Sequence, residues 1–281
     1  MLDRHAVPVW GARAVGDVTR RDVNLLLDEV VDGGAPVVAN RLLAAVRKMF
    51  NWAASKDYVA ANPCAGIMPP SAEDSRDRVL GDDELRRVWE AASALGELFG
   101  PLVRLLILTG QRRDEVAGMR WSELDLDAGL WTIPKERAKN GKAHAVPLSV
   151  AAVAVLAVLP RLEMDDGTPS DFVFTTTGTT PVSGFSKAKE RLDLLAGVEG
   201  WRFHDIRRTV TTGLARMGIA PQVADRILNH VQGTIRGVAA VYNRHDYLDE
   251  SRAALDAWAQ RLDRIVNGTP ANVVDLRHAV A

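Results

Sequence analysis

Two short segments of the sequence set arginine and histidine directly beside core-forming residues. In the segment 109–115, TGQRRDE, Arg112 follows a strongly apolar run and a glycine. An arginine in that place is costly unless an anion meets it. Glu115 either forms an ordinary ion pair with Arg112 or holds the guanidinium so that its other donors face a phosphate. In HDIRRT, the i, i+3 spacing lets His204 and Arg207 share a helix face and converge on one ligand.

Lysines, a second histidine and a tyrosine extend this pattern along the chain. Lys139 and Lys142 flank the Asn-Gly tip of a predicted hairpin, where lysines usually serve solubility. A mobile lysine that reaches an oxygen leaving group is instead a general acid. His230 follows Ile-Leu-Asn, and Tyr242 comes twelve residues later. Taken singly, such a histidine is typical of a helix-terminal cap and such a tyrosine of packing.

In this order, two arginines, a lysine, two histidines and a tyrosine resemble the tyrosine recombinase (phage integrase) family. The resemblance runs through residues 80–260. Residues 109–126 resemble the family's first-arginine box, 204–209 its second box, and 227–230 with Tyr242 its third. Several boxes in the right order are far more specific than any one of them.

The resemblance implies an enzyme that exchanges DNA strands by transesterification. Tyr242 would attack the scissile phosphorus, giving a 3′-phosphotyrosyl link and a free 5′-hydroxyl, and a partner strand's 5′-hydroxyl would reverse the step. Arg112 and Arg207 would donate to the non-bridging oxygens, and His230 would add a further donor.

The remaining site roles also follow from the resemblance. His204 would take the tyrosine proton, and Lys139, with Lys142 as the nearby alternative, would protonate the departing oxygen. Glu115 and Asp205 would position these groups. Because no carboxylate cluster is spaced for magnesium, we expect neither a metal nor another cofactor, and the conserved ester energy makes ATP unnecessary.

Two features depart from the family's pattern. Asn229 stands where the family usually has glycine before the histidine, a small change that should be tolerated. The interval from His230 to Tyr242 is slightly long, which leaves Tyr247 as a rival nucleophile. The chain also starts well inside the usual core-binding domain, so we expect a truncated product or a start site moved downstream.

The elements that must position these residues form a mainly α fold with a small antiparallel β-sheet. Apolar periodicity predicts helices within 1–68, and a Pro- and charge-rich linker is predicted over 69–78. The resemblance implies that 1–68 are a partial helical core-binding domain and 79–266 the catalytic domain, with a tail over 267–281. Two β-prone runs around Asn-Gly predict a hairpin, and residues 172–174 a third strand.

The N-terminal part carries two predicted helices. Asp17 or Thr19 caps the first helix, which breaks at Asp-Gly-Gly after residue 31. The second helix presents Arg41, Arg47 and Lys48 on one face. By residue type alone, these cations form an ordinary basic face that is exposed to solvent. The resemblance to a core-binding domain implies instead that this face binds DNA.

Composition limits the classes to which the protein can belong. Lysine plus arginine is 35 against 36 acidic residues, so any basic surface must be local. Cys64 is the only cysteine, which excludes an internal disulfide. The longest apolar run, 150–159, is too short to cross a bilayer, and the N-terminus does not read as a secretory signal. We therefore expect a cytoplasmic, nucleoid-associated bacterial protein.

The expected partners are double-stranded attachment-site DNA, three further copies of the chain in a tetramer on DNA, and accessory DNA-bending proteins. Residues 251–266 form an amphipathic helix that suits docking on a neighbour or packing on its own domain. The expected outcome is integration or excision of a prophage or other mobile element. Two alternatives stay open: a nicking-closing enzyme like a type IB topoisomerase, and a non-catalytic DNA-binding remnant.

Overall fold

The computed structural model describes residues 1–73, 77–230 and 245–268 and divides the chain into two compact units, Met1–Arg76 and Asp77–Ala281. Helices dominate both units, and the second contains one three-stranded antiparallel sheet. The predicted fold class is therefore confirmed. The division between the units falls inside the segment that the sequence predicts as a linker.

The first unit is a small helical bundle. Its helices are α1 (Leu2–His5), α2 (Val7–Trp10), α3 (Arg20–Asp32) and α4 (Pro36–Ser55). Thr19, one of the two predicted caps, begins α3: its side chain accepts from the Asp22 amide while the Asp22 carboxylate accepts from the Thr19 amide. One buried cluster joins α3 to α4. Its members include Val23, Leu26, Leu27, Val30, Leu42, Leu43, Val46 and Phe50.

The second unit is built on helices that pack around one core. They are α5 (Asp82–Ala92), α6 (Gly96–Thr109), α7 (Arg113–Ala117), α8 (Val150–Ala157), α9 (Phe185–Ala196), α10 (Phe203–Arg216), α11 (Pro221–Ile227) and α12 (Leu248–Asn267). The acidic run before Leu85 starts α5, where the Glu84 carboxylate accepts from the Gly81 amide at 2.9 Å.

One described stretch has the length and hydropathy of a membrane span. It covers Asp82–Thr109, and its most apolar window of 18 residues has a mean hydropathy of 1.6. More than half of that window, 56%, is buried inside the unit, as in the core helix of a folded domain. Its apolar character is thus used in packing, with residues 102, 103 and 105–109 of α6 buried.

The sheet consists of β1 (Leu124–Asp125), β2 (Leu130–Ile133) and β3 (His144–Pro147) in that order. β2 and β3 are antiparallel, with Leu130 opposite Pro147 and Ile133 opposite His144. The predicted hairpin is therefore present. Its strands are joined by the ten residues 134–143 rather than by a tight Asn-Gly turn, so this long connection is free to reach into the site.

The predicted third strand at 172–174 is wrong, since β1 takes that place in the sheet. Phe172 makes only a single bridge, to Arg120. Side-chain hydrogen bonds bend the chain just before it: the Asp171 carboxylate accepts from the Ser122 amide and hydroxyl, and Ser170 donates to the Gly178 carbonyl. The apolar run marks burial in the core, which a short strand pattern cannot distinguish from pairing.

α12 packs on its own unit. Its buried residues are Ser251, Ala254, Leu255, Trp258 and Leu262. The Trp258 indole donates to the Ile107 carbonyl at 2.8 Å, and its ring lies against Gly213 of α10. Of the two predicted uses of this helix, the structure therefore shows packing within its own unit.

Candidate active site

A cleft of about 690 Å³ in the second unit gathers four of the six predicted catalytic side chains. Arg112 comes from the junction of α6 and α7, Lys139 from the 134–143 connection, and His204 and Arg207 from the start of α10. Glu115, a predicted positioning residue, also lines the cleft. Segments far apart in the sequence thus converge on one opening.

The cleft has a strong excess of positive charge. Among its described lining residues, seven are cationic and two are carboxylates. Arg112, Arg113, Arg137 and Lys189 pair with neighbouring carboxylates. Lys139, Arg202 and Arg207 form no ion pair within the described part of the chain. This is the local basic surface that a chain of net charge −1 requires if it is to meet a polyanion.

Arg112 is oriented by Glu115. α6 ends at Gly110, whose left-handed backbone (φ 64°) turns the chain so that Arg112 immediately precedes α7. One Glu115 carboxylate oxygen accepts from Arg112 Nη1 at 2.9 Å, and the other from its backbone N–H at 3.2 Å. Glu115 is almost fully buried, while the guanidinium is partly open. Its Nε and Nη2 make no hydrogen bond within the described residues, and are free to bind an anion.

Arg207 is buried, and two backbone carbonyls fix its guanidinium. Nη1 donates to the Gly110 carbonyl at 2.9 Å, and Nη2 donates to the Leu228 carbonyl. Burial and the neighbouring Arg112 lower the pKa of Arg207 to about 10, against a smaller opposing effect of Glu115. The group therefore stays charged at neutral pH, and a bound anion would stabilise both arginines at once.

His204 lies on the exposed first turn of α10, at the cleft. Partial burial of the ring lowers its pKa below 6.5, and Arg208, Arg207 and Arg112 add to this effect. The imidazole is thus mostly neutral at pH 7 and able to accept a proton. Asp205 is fully buried and does not line the cleft.

Asp205 secures the start of α10. Its carboxylate accepts from the Arg202 amide at 2.8 Å and from Arg208 at 2.6 Å. It thereby fixes the helix turn that carries both His204 and Arg207.

His230 follows α11, and is not among the residues that line the cleft. Its Nδ1 lies 3.0 Å from an Asp225 carboxylate oxygen. Asn229 before it has a left-handed backbone (φ 50°), a conformation that asparagine tolerates better than other non-glycine residues. This explains why asparagine can replace the glycine of the family's pattern. The Leu228 carbonyl connects this turn to Arg207.

The lysine and tyrosine alternatives differ in position. Lys139 and Lys142 are both exposed in the 134–143 connection, but only Lys139 lines the cleft. Tyr242 lies outside the described residues. Tyr247 immediately precedes α12, where its ring packs against the core of the unit and against His245, with ring centroids 4.6 Å apart.

The sequence predictions miss Gln111, which lines the cleft, and His144, which is buried and does not line it. His144 Nε2 lies 3.1 Å from the Ile227 carbonyl, to which Gln111 Nε2 donates at 2.7 Å. Only their types gave a signal: an amide just before the first arginine, and a histidine on the inward face of a strand. Arg137 is a third addition; it pairs with the buried Glu123 at 2.6 Å and lines the cleft.

The predicted DNA-binding residues of α4 divide into two kinds. Arg41 and Lys48 are exposed. Arg47 is half-buried, and its Nη2 donates to the Ile67 carbonyl at 2.6 Å, while Asn62 donates to the Arg47 carbonyl. Arg47 therefore holds the segment after α4 in place. The helix itself contains no acidic residue.

Among the described residues, no group of three or more His, Cys, Asp or Glu side chains is placed to hold a metal ion. What the site does offer is cationic: Arg112 and Arg207 line one cleft together with the His204 imidazole and Lys139. On a mainly helical unit with a three-stranded sheet, this arrangement is suited to binding a phosphate diester and moving protons at its two ends.

The family models agree with this description. The model of the phage integrase family matches residues 78–248, and that of the phage integrase central domain matches residues 1–69. The chain belongs to the phage integrase family.

Relatives match nearly the whole chain. It is 30% identical to the prophage integrase IntZ of Escherichia coli (strain K12), over 96% of this chain and 66% of that protein. It is 24% identical to IntA of the same strain, over 95% of this chain and 65% of that protein. The chain thus spans about two thirds of the length of these relatives.

Solved structures share the fold. A lambda integrase (75–356) dimer bound to a COC′ core site superposes with a TM-score of 0.60 at 20% identity, over 80% of this chain and 83% of that one. A lambda integrase tetramer bound to a Holliday junction superposes with a TM-score of 0.59 at 20% identity, over 79% of this chain and 67% of that one.

Proposed function

We propose that the protein is a site-specific tyrosine recombinase that cleaves and rejoins DNA through a 3′-phosphotyrosyl intermediate. The convergence of Arg112, Lys139, His204 and Arg207 on one cationic cleft carries the proposal. Two arginines that share a buried counter-charge and keep donors free for an anion match the trigonal-bipyramidal phosphorane, which has more negative charge than the diester.

The proposed reaction is an in-line displacement at phosphorus. The Tyr242 oxygen forms a bond to phosphorus as the bond from phosphorus to the 5′-oxygen breaks. The phenolic proton passes to His204, whose lowered pKa keeps it available as a base. Lys139 gives a proton to the departing oxygen. Rejoining reverses each transfer, so no net energy source is needed.

Phosphate binding is shared among three groups. Arg112 and Arg207 donate to the non-bridging oxygens, with His230 as a third donor brought in by the turn that follows Leu228. Arg202 extends the cationic surface along the cleft, and its side chain makes no hydrogen bond in the described residues. Such contacts position DNA without selecting a sequence.

The proposed substrate is double-stranded attachment-site DNA, and the proposed assembly is a homotetramer with accessory DNA-bending proteins. The relatives' names, prophage integrases, support integration or excision of a prophage or other mobile element. The tetramer on a Holliday junction formed by lambda integrase supports the assembly. Such a protein would act in the bacterial cytoplasm, on the nucleoid.

A covalent-trapping assay tests the reaction class. Purified protein is incubated with a chelator and nicked suicide duplexes tiled from the DNA that flanks its gene, and adducts are resolved on denaturing gels. We expect an adduct that Tyr242→Phe abolishes and Tyr247→Phe retains. DNA binding without an adduct supports the non-catalytic remnant. Relaxation of supercoils by a monomer on unrelated DNA supports a topoisomerase-like enzyme.

A sulfur-substituted substrate tests which lysine is the acid. A bridging 5′-thiolate leaves without protonation, because a thiol is far more acidic than an alcohol. We expect Lys139→Met to slow cleavage of the oxygen substrate but not of the sulfur substrate. Lys142→Met, the matched control from the same connection, should cleave both at the wild-type rate. The reverse pattern moves the assignment to Lys142.

A further inference from the structure

We infer that His144 is a positioning residue for strand cleavage, which holds the Ile227 carbonyl so that the following turn orients Arg207 and His230. This inference rests on the proposed function for its catalytic consequence. His144 lies outside the three segments that carry the resemblance, and it is not among the residues that line the cleft.

The geometry defines what His144 does. It begins β3, opposite Ile133, and its side chain is buried with Nε2 3.1 Å from the Ile227 carbonyl oxygen. Because a carbonyl oxygen only accepts, this nitrogen must carry the proton. Burial lowers the pKa of His144, and this effect outweighs the opposite effects of the Ile227 hydrogen bond and Glu115. Arg207 and Arg112 add smaller lowering effects. The ring is thus a neutral Nε2–H donor.

A second buried donor meets the same oxygen. Gln111 is 2% exposed, and its Nε2 donates to the Ile227 carbonyl at 2.7 Å and to the Thr109 carbonyl at 3.1 Å. Ile227 is the last residue of α11, where helix carbonyls lack partners within the helix. Two side chains from the sheet and from the α6–α7 junction therefore fix the end of α11.

The three residues after Ile227 pass this restraint to the site. The Leu228 carbonyl accepts from Arg207 Nη2. Asn229 is hydrogen-bonded to Asn140 of the connection that carries the proposed acid. The His230 amide donates to the Asp225 carbonyl at 3.0 Å. A shift of Ile227 would therefore move a carbonyl that orients one phosphate ligand and the backbone of another.

The expected effect is on the rate of the chemical step rather than on DNA affinity. Misplacing catalytic groups by about 1 Å can cost ~100-fold in rate. His144→Leu keeps bulk but removes the donor, so we expect cleavage at saturating protein to slow ~10- to 100-fold while the DNA dissociation constant changes less than about threefold. His144→Gln can still donate an N–H to Ile227, and should recover most of that rate.

Val146→Ala is the matched control for packing. Val146 lies two residues along β3, is fully buried, and has a side chain that cannot donate a hydrogen bond to the Ile227 carbonyl. All variants are compared on a nicked suicide duplex, below the melting temperature of the least stable one. We expect wild-type rates from Val146→Ala. The inference is overturned if His144→Leu cleaves like the wild type, if Val146→Ala is equally slow, or if His144→Gln gives no recovery.

Amide hydrogen exchange separates this inference from the proposed function. His144→Leu should exchange the Leu228, Asn229 and His230 amides ~10-fold or more faster than the wild type, and Val146→Ala should leave them unchanged. Unchanged exchange in His144→Leu overturns the inference. A wild-type protein that forms no adduct overturns the proposed function instead, and the exchange result still decides whether His144 holds this turn.

Discussion

Gly110→Ala is the substitution that most directly tests how Arg112 and Arg207, the two proposed catalytic arginines, are held. Gly110 ends α6 with a left-handed backbone (φ 64°), precedes Arg112 by two residues and supplies the carbonyl that binds Arg207. A Cβ at this position would lie 3.0 Å from Val210 Cγ1 and 3.3 Å from Leu228 Cδ2. Both neighbours are buried, and Leu228 is the residue whose carbonyl holds Arg207 on the other side.

The magnitude has three contributions. An alanine in the left-handed conformation destabilises the folded state by about 1–2 kcal/mol. Alanine also lowers the conformational entropy of the unfolded chain relative to glycine, which offsets about 0.4–1 kcal/mol of that loss. Overpacking against Val210 and Leu228 adds about 1–3 kcal/mol. We expect Gly110→Ala to lower the free energy of unfolding by about 2–4 kcal/mol. Gly167 has a similar backbone (φ 78°) with nothing within 4 Å of its Cβ position, so Gly167→Ala should cost only about 1 kcal/mol.

Thermal melting and suicide-substrate cleavage measure the two consequences. For a unit of this size, the stability loss corresponds to a melting temperature lower by about 5–12 °C for Gly110→Ala and about 2–4 °C for Gly167→Ala. Cleavage measured well below both transitions should be slowed in Gly110→Ala alone. Equal melting temperatures for the two variants would refute the packing argument, and unimpaired cleavage by Gly110→Ala would refute the role of this turn in orienting the arginines.

Three other perturbations have distinct expected outcomes. Glu115→Gln removes a charged hydrogen bond worth about 1.5–3 kcal/mol, so cleavage should slow ~10- to 100-fold while DNA affinity is nearly unchanged. An equal loss of DNA affinity would contradict this. The cleavage rate should fall as the pH drops through the lowered pKa of His204, below 6.5. Arg208→Gln raises that pKa, so the acid limb of the pH–rate profile should move to higher pH; an unmoved limb contradicts the base assignment. Arg47→Met should lower the free energy of unfolding of residues 1–76 by about 1–2 kcal/mol and leave the salt dependence of DNA binding unchanged. Lys48→Met should instead reduce the slope of log binding constant against log salt concentration by about 1.

The sequence predicts α3, α4 and α12 and the mutual placement of neighbouring site residues, because these depend on local signals. The acids before Leu85 and Thr19 with Asp22 are start signals that act within one turn. Arg112 with Glu115, and His204 with Arg207, sit within one helical turn of each other, so their mutual geometry follows from spacing. The order of such local units then indicates the family.

The features that sequence reasoning misses depend on distant partners. His144 and Gln111 meet at Ile227 across 83 and 116 residues, and no local pattern encodes that contact. Arg47 has the same type and face spacing as a DNA-binding residue, yet the Ile67 carbonyl, 20 residues away, takes its guanidinium. The run 172–174 has strand-like residues, but side-chain bonds at Asp171 keep it out of the sheet.

Peptide mapping of the trapped protein–DNA adduct tests the central claim most directly. After nuclease and protease digestion, mass spectrometry locates the peptide that retains a nucleotide, and its sensitivity to base and phosphodiesterase defines the linkage. The account predicts a nucleotide joined through its 3′-phosphate to Tyr242. A 3′-nucleotide on Tyr247, a 5′-linked nucleotide, or an adduct on any other residue would contradict it.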